Sequence, residues 1–288
     1  MKISLFIGIA IILIFSSCEK TSYNADYDVL LKTESGFSFK YSDFELYDSS
    51  THIFYFKNYH PEFKTASNEK FSILANGQII YQGYFLAPYS SYIPSGPFIF
   101  SFYKFGPDHF FEIEAWFPDN VKDSRNDPRF IDALKQKGLL HSGLKVSIDS
   151  IKISDSQLIF KFTVTNSDLS DLMILDLDRT GINLFHYFTN GLSMYDSAHN
   201  LIFKSNIEFS APASYRDWSV DWLSVLKSGD SRQFTINYTP STPIKPGEYH
   251  ASFEFPGMYF QISKDQLYQN SDRIWLGDIQ VNKEIAID

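Results

Sequence analysis

Cysteine is all but missing from this 288-residue chain, which has one, Cys18. A single cysteine excludes any intramolecular disulfide, so stability must come from apolar burial even in an oxidising compartment. Catalytic signatures are missing too. There is no Gly-x-Ser-x-Gly elbow, no His-Glu-x-x-His pair, no P-loop and no dinucleotide fingerprint. Ser-x-x-Lys recurs, for instance at Ser67/Lys70, Ser101/Lys104 and Ser224/Lys227, in strand-like or loop-like contexts and without the companion motifs that acyl-enzymes need. The seven histidines (52, 60, 109, 141, 186, 199 and 250) show no ligand spacing, so no cofactor is expected. Positive charge is scarce, 25 Lys and Arg against 34 Asp and Glu for a net −9. Phosphate backbones repel such a chain, which argues against nucleic acid as a partner. The apolar run at residues 3–15 is too short to span a bilayer.

That run nevertheless has a recognisable shape. Lys2 supplies a positive start, residues 3–15 the apolar stretch, and Phe15-Ser16-Ser17-Cys18 a small-residue exit, the outline of a secretory signal peptide. Ending on the cysteine, it resembles the lipobox of bacterial lipoproteins, with Phe15 where that pattern prefers Leu, Val or Ile. The resemblance implies that residues 1–17 are removed and that Cys18 is acylated. The lipid would then hold the chain to a membrane of the bacterial envelope, expected to be the outer membrane on its periplasmic or surface face. Residues 18–35 are polar and aperiodic and read as a tether.

The remainder is globular and built for strands. Hydrophobic residues make up 44% and aromatic residues 17%, with 28 Phe and 18 Tyr, which suit a pleated surface. Short alternating runs follow one another, and Asn76-Gly77 between residues 71–74 and 79–81 is the clearest hairpin turn. Gly106-Pro107-Asp108, between residues 98–105 and 110–117, predicts another. One helix is expected over residues 128–137, capped by Asp127, opened by Pro128 and ended by Gly138. Residues 144–153 alternate strictly, and residues 157–166 and 232–238 read as further strands. Phe37 to Ser49 and Leu144 to Ser156 share a faint pattern, compatible with a duplicated module.

The step Pro246-Gly247-Glu248-Tyr249 resembles the turn entering a late strand of immunoglobulin-like and fibronectin-III-like domains. The resemblance covers residues 144–283 and implies a tyrosine hydroxyl, that of Tyr249, bonded back to the loop. The fold class expected is all-β, with two tandem antiparallel β-sandwich (Ig-like) domains and one short helix at their junction. The boundaries expected are 36–126 for the first domain, 127–142 for helix and linker, and 143–288 for the second.

Candidate sites are few. Glu112 and Glu114, on one face of a strand about 7 Å apart with Trp116 beside them, have the spacing of an inverting glycosidase. An antiparallel strand with wet glutamates explains them more simply. Asp119, Asp123 and Asp127 sit in an oxygen-rich loop that could take calcium, opposed by Lys122 and Arg125. Asp168, Asp171, Asp176 and Asp178 are expected on a solvated sheet edge, with Asp176 and Asp178 sharing a strand face. The ligand-binding candidates are loop aromatics: Tyr84, Tyr89 and Tyr92 in one stretch, Tyr215, Trp218 and Trp222 in another. Residues 185–191 are equally aromatic, but Asn190-Gly191 makes them read as a hairpin turn. The function expected is non-catalytic binding or assembly at the envelope, towards a protein or glycan partner. A glycan-binding uptake component and a carbohydrate-active enzyme are the alternatives.

Overall fold

The computed structural model describes residues 27–58, 60, 68–87, 90–100, 109–118, 121–154, 156–258 and 261–287. Cys18 and the expected leader lie outside the described residues. Among the described residues the architecture is all-β, in five sheets with two short α-helices.

Strands β1 (Val29–Thr33) and β2 (Ser38–Lys40) open a six-stranded sheet. It continues through β5 (Lys70–Ala75), β6 (Gln78–Leu86), β7 (Gly96–Phe100) and β9 (Glu114–Trp116). β1 corrects the expected tether, because Val29, Leu30 and Leu31 are buried and Leu31 pairs with Ile73. A run of three apolar residues is too brief to show a period. Asn76 and Gly77, at φ 50° and 75°, turn β5 into β6 as anticipated. Tyr84, expected on a loop, stands on β6 instead. β7 finds its antiparallel partner in β9, and it runs parallel to β6. The anticipated turn at 106–108 lies outside the described residues.

A second sheet takes the order β10-β3-β4-β8, from β10 (Leu140–His141), β3 (Phe44–Asp48), β4 (Ile53–Phe56) and β8 (Phe110–Glu112). Both its faces are buried. Phe54 and Phe56 enter the core beneath the first sheet, while Ile53 and Tyr55 enter the core of the C-terminal half. The two-residue strand period therefore serves two cores at once. Helix α1 (Pro128–Gln136) has the predicted Asp127 cap and ends at Gly138, φ 69°. Its position is not the predicted one: Phe130, Ala133 and Leu134 belong to the N-terminal core, and β10 pairs with β3. Residues 127–142 are thus packed against the N-terminal sheets.

In the C-terminal half β11 (Leu144–Ser154), β12 (Gln157–Asn166) and β17 (Ser231–Tyr238) form one antiparallel sheet. Facing it are β14 (Leu192–Tyr195), β15 (Leu201–Lys204), β18 (Gly247–Pro256) and β21 (Asp278–Ile287). Phe160 and Phe162 meet Phe253 across the gap, with ring centroids 4.8 and 4.7 Å away. The Tyr249 hydroxyl donates to the Lys245 carbonyl at 2.7 Å, the bond that the Pro-Gly-Glu-Tyr step implies. A further sheet, β16-β13-β20-β19, comprises β13 (Leu172–Leu175), β16 (Leu223–Leu226), β19 (Tyr268–Gln269) and β20 (Asp272–Ile274). It meets the N-terminal half through Arg273, which reaches Asp48 and the Tyr55 hydroxyl.

Helix α2 (Leu177–Phe185) replaces the strand expected around Asp176 and Asp178. Asp176 caps it, accepting from the Asp178 N–H at 2.9 Å, and Arg232 bridges both carboxylates. Gly181, at φ 68°, kinks the segment and hides its period. The shared pattern of 37–49 and 144–156 diverges in space. The first copy splits between two sheets around Tyr41–Asp43, and the second runs on as β11.

Between β3 and β4 the chain turns through His52 at φ 56°. The Tyr47 hydroxyl lies 2.6 Å from His52 Nδ1. Burial, then the Arg125 charge, hold this imidazole far below its ordinary 6.5, against the pull of Asp123. The unfolded chain takes up a proton below that value and the folded chain does not, so acid favours unfolding. About 1–2 kcal/mol is expected to be lost from this group between about pH 7.5 and about pH 5. His52→Asn tolerates the left-handed backbone and should flatten the fall of Tm with acid. Equal slopes in the two proteins would rule the account out.

Candidate functional site

The expected carboxylate pair does not form on one strand. Glu112 ends β8, paired with β4, whereas Glu114 begins β9, paired with β7 in the other sheet. The chain crosses between sheets at Ile113, which is fully buried and whose carbonyl accepts from Arg125 at 2.7 Å. The oxygen-rich loop is also committed elsewhere. Asp123 is clasped by Arg125 at 2.6 Å, and Asp127 caps α1 while pairing with Arg129 at 2.8 Å. Asp119 lies outside the described residues, as does Tyr89. Asp168, expected in water, is buried and bonded to His141 and Arg273.

The aromatic candidates separate into two places. Tyr84 is partly exposed on β6 with the Lys70 ammonium 5.8 Å from its ring centroid, and Tyr92 is exposed on the following loop. Tyr215 is exposed in the C-terminal half with Arg216 stacked 5.4 Å away. Trp218 and Trp222 are half-buried against the C-terminal core. Trp222 leads to a cleft, since its ring centroid is 6.0 Å from that of Phe188.

This cleft, of about 470 Å³, lies between the end of α2, the end of β15 and the outer face of β18. Gly191 lets its floor close. At φ 69° the residue approaches Ser205 so tightly that an added Cβ would meet the Ser205 hydroxyl at 2.2 Å. Ser205 Oγ donates to the Asn190 carbonyl at 3.0 Å, and Thr189 Oγ1 donates to the Glu254 carbonyl. Asn190 Nδ2 donates to the Glu254 carboxylate at 3.1 Å. His186 lies beneath, its Nδ1 donating to the Ile182 carbonyl at 2.9 Å and its Nε2 facing the Tyr238 hydroxyl at 3.2 Å. Burial pushes its imidazole down, only partly countered by the Ile182 bond.

The wall is aromatic. The Tyr187 centroid stands 6.0 Å from Phe209 with the rings tilted 53°, and 5.0 Å from Phe188 edge-on. Phe209 is 60% exposed, and its segment is tied to α2 by the Ser210 N–H on the Asn183 carbonyl at 3.1 Å. Lys204 and Glu254 bring one charge of each sign to the rim. The sequence expectation of a hairpin turn at 185–191 is thus replaced by a helix end and a cleft wall. Glu254 was legible as an outward position, because Tyr249, Ala251, Phe253 and Phe255 alternate inward. Phe209 had a weaker signal, a lone aromatic ring in a polar, proline-bearing loop.

A second groove, between the edges of β11 and β21, is partly closed by Lys283, whose ammonium takes the carbonyls of Ile148 and Asp149 at 2.8 and 3.0 Å. That lysine occupies strand-edge acceptors that another chain would need. Among the described residues no cluster of His, Cys, Asp and Glu has the geometry of a metal site, and no helix is long and apolar enough to cross a membrane. No protein-family model matches the chain, and a search of curated proteins gives no match.

Proposed function

We propose that this chain is a lipid-anchored protein of the bacterial envelope that binds a ligand, without catalysis, in the cleft walled by Tyr187 and Phe209. The cleft carries the reading. It joins the exposed Phe209 ring and the half-buried rings of Tyr187 and Phe188 to a few convergent polar groups, the composition of a ligand site. Its two aliphatic hydroxyls, Thr189 and Ser205, each donate to a backbone carbonyl, and the nearby His186 Nε2 faces the Tyr238 hydroxyl instead, so neither is hydrogen-bonded to a base as an activated nucleophile is. The anchor rests on Lys2, the apolar run and Cys18.

Two experiments test the two parts. In cells fed an alkyne analogue of palmitate, the wild type should be labelled and found with membranes, and Cys18→Ser should be unlabelled. An unlabelled wild type overturns the anchor. Immobilised protein lacking residues 1–18 should retain from envelope extract a component that Tyr187→Ala/Phe209→Ala does not, eluted with unchanged mass. Equal retention by both proteins overturns the cleft, and a mass change on elution overturns the non-catalytic part.

A further inference from the structure

We infer that the ligand of this cleft is an uncharged glycan, one or two pyranose units stacked on Tyr187 and Phe209; the inference rests on the cleft being the binding site. Size points to a small ligand. A cleft of about 470 Å³ falls within the range of small-molecule sites, whereas a folded partner buries about 800 Å² on each side. Surface chemistry then narrows the class. The two tilted rings line the cleft, and a ligand seated there must present an apolar face to them. The rim requires a ligand rich in hydroxyls at its edges, since Lys204 donates, Glu254 accepts and the Asn190 amide can do both. A pyranose has this combination, C–H groups on its faces and hydroxyls around its perimeter.

Charge excludes the nearest competitors. Lys204 and Glu254 bring one charge of each sign, and both ring nitrogens of His186 already face partners, Ile182 and Tyr238. A phosphate, sulfate or sialic acid would find one lysine with a carboxylate opposite, and a cationic ligand would meet the reverse. The floor is also set before binding. Bonds from Thr189 and Asn190 hold the loop on β18, and Ser205, just past β15, holds it from the other side, which reduces the ordering cost of capturing a weakly held sugar.

Isothermal titration with neutral hexaoses tests this: β-1,4- and α-1,4-linked glucose, β-1,4-linked mannose and β-1,4-linked xylose. At least one should bind with a Kd of about 10 µM to 1 mM. Phe209→Ala removes an exposed ring and should weaken it about tenfold or more without unfolding the chain. Glu254→Gln should also weaken it about tenfold, because a carboxylate accepts a sugar hydroxyl more strongly than an amide does. Tyr84→Ala, on the N-terminal sheet, should change nothing. No hexaose binding tighter than about 10 mM overturns the glycan assignment, as does tighter binding of a sulfated disaccharide. If the extract experiment still shows retention through Tyr187 and Phe209, only the ligand class has failed. If retention is lost as well, the cleft itself is wrong. Binding that Phe209→Ala leaves unchanged places the sugar elsewhere and overturns the proposal.

Discussion

Arg273→Met is expected to destabilise the protein by about 3–5 kcal/mol, measured by urea unfolding. Arg273 on β20 is 2% exposed and bridges Asp48 at 3.0 Å and Asp168 at 3.3 Å. Those carboxylates come from the end of β3 and the loop after β12, so one guanidinium ties the two halves of the chain. Its planar fork also meets Tyr55, whose hydroxyl is 3.3 Å away and whose ring centroid is 5.4 Å away. Methionine matches the volume but leaves two carboxylates buried without their cation. The cost lies in that uncompensated charge more than in the lost attraction. Burial alone would push the Asp168 carboxyl up; the His141 hydrogen bond and the charges of His141 and Arg273 overcome this and hold it well below its ordinary 3.8. Its contribution is therefore present above that value and is lost as pH falls below it. In Arg273→Met one of those supports is gone, so acid unfolding should begin at higher pH than in the wild type. A loss under about 1 kcal/mol would show that the cluster does not hold the halves together.

Phe54→Ala should cost about 3–5 kcal/mol and should do so without splitting the unfolding transition. The ring is fully buried, stacked 4.9 Å from Phe111 and 4.5 and 5.0 Å from Tyr47 and Phe44. Alanine leaves a cavity that three rigid rings cannot collapse into. The neighbours on either side of Phe54, Ile53 and Tyr55, pack into the other core. Loosening β4 therefore weakens both cores, and circular dichroism should report one cooperative transition with a lowered midpoint. Two separated transitions would mean that the cores unfold independently and that β4 does not couple them.

Local chemistry was legible in the residues themselves. Asn76-Gly77 forms its turn because both positions take positive φ, and α1 begins where Asp127 and Pro128 say it should. Tyr249 finds the Lys245 carbonyl four residues away. Each of these signals is complete within a few residues, so no distant partner is needed to read it. Alternation likewise determined that the chain is all-β.

What needs a distant partner was decided by the tertiary structure alone. β1 is a strand because β5 lies alongside it, and α1 belongs to the N-terminal core because Tyr47 and Phe54 face Phe130. Glu112 and Glu114 look like one strand until the chain changes sheets at Ile113. An arginine is ordinarily a surface residue, and Arg273 is interior because Asp48, 225 positions away, meets it there. The cleft is the same case, assembled from the end of α2, the loop that carries Phe209 and the outer face of β18. Sequence supplied its rings and carboxylate separately. Only packing places them around one space, because burial and charge pairing are long-range properties that local pattern does not encode.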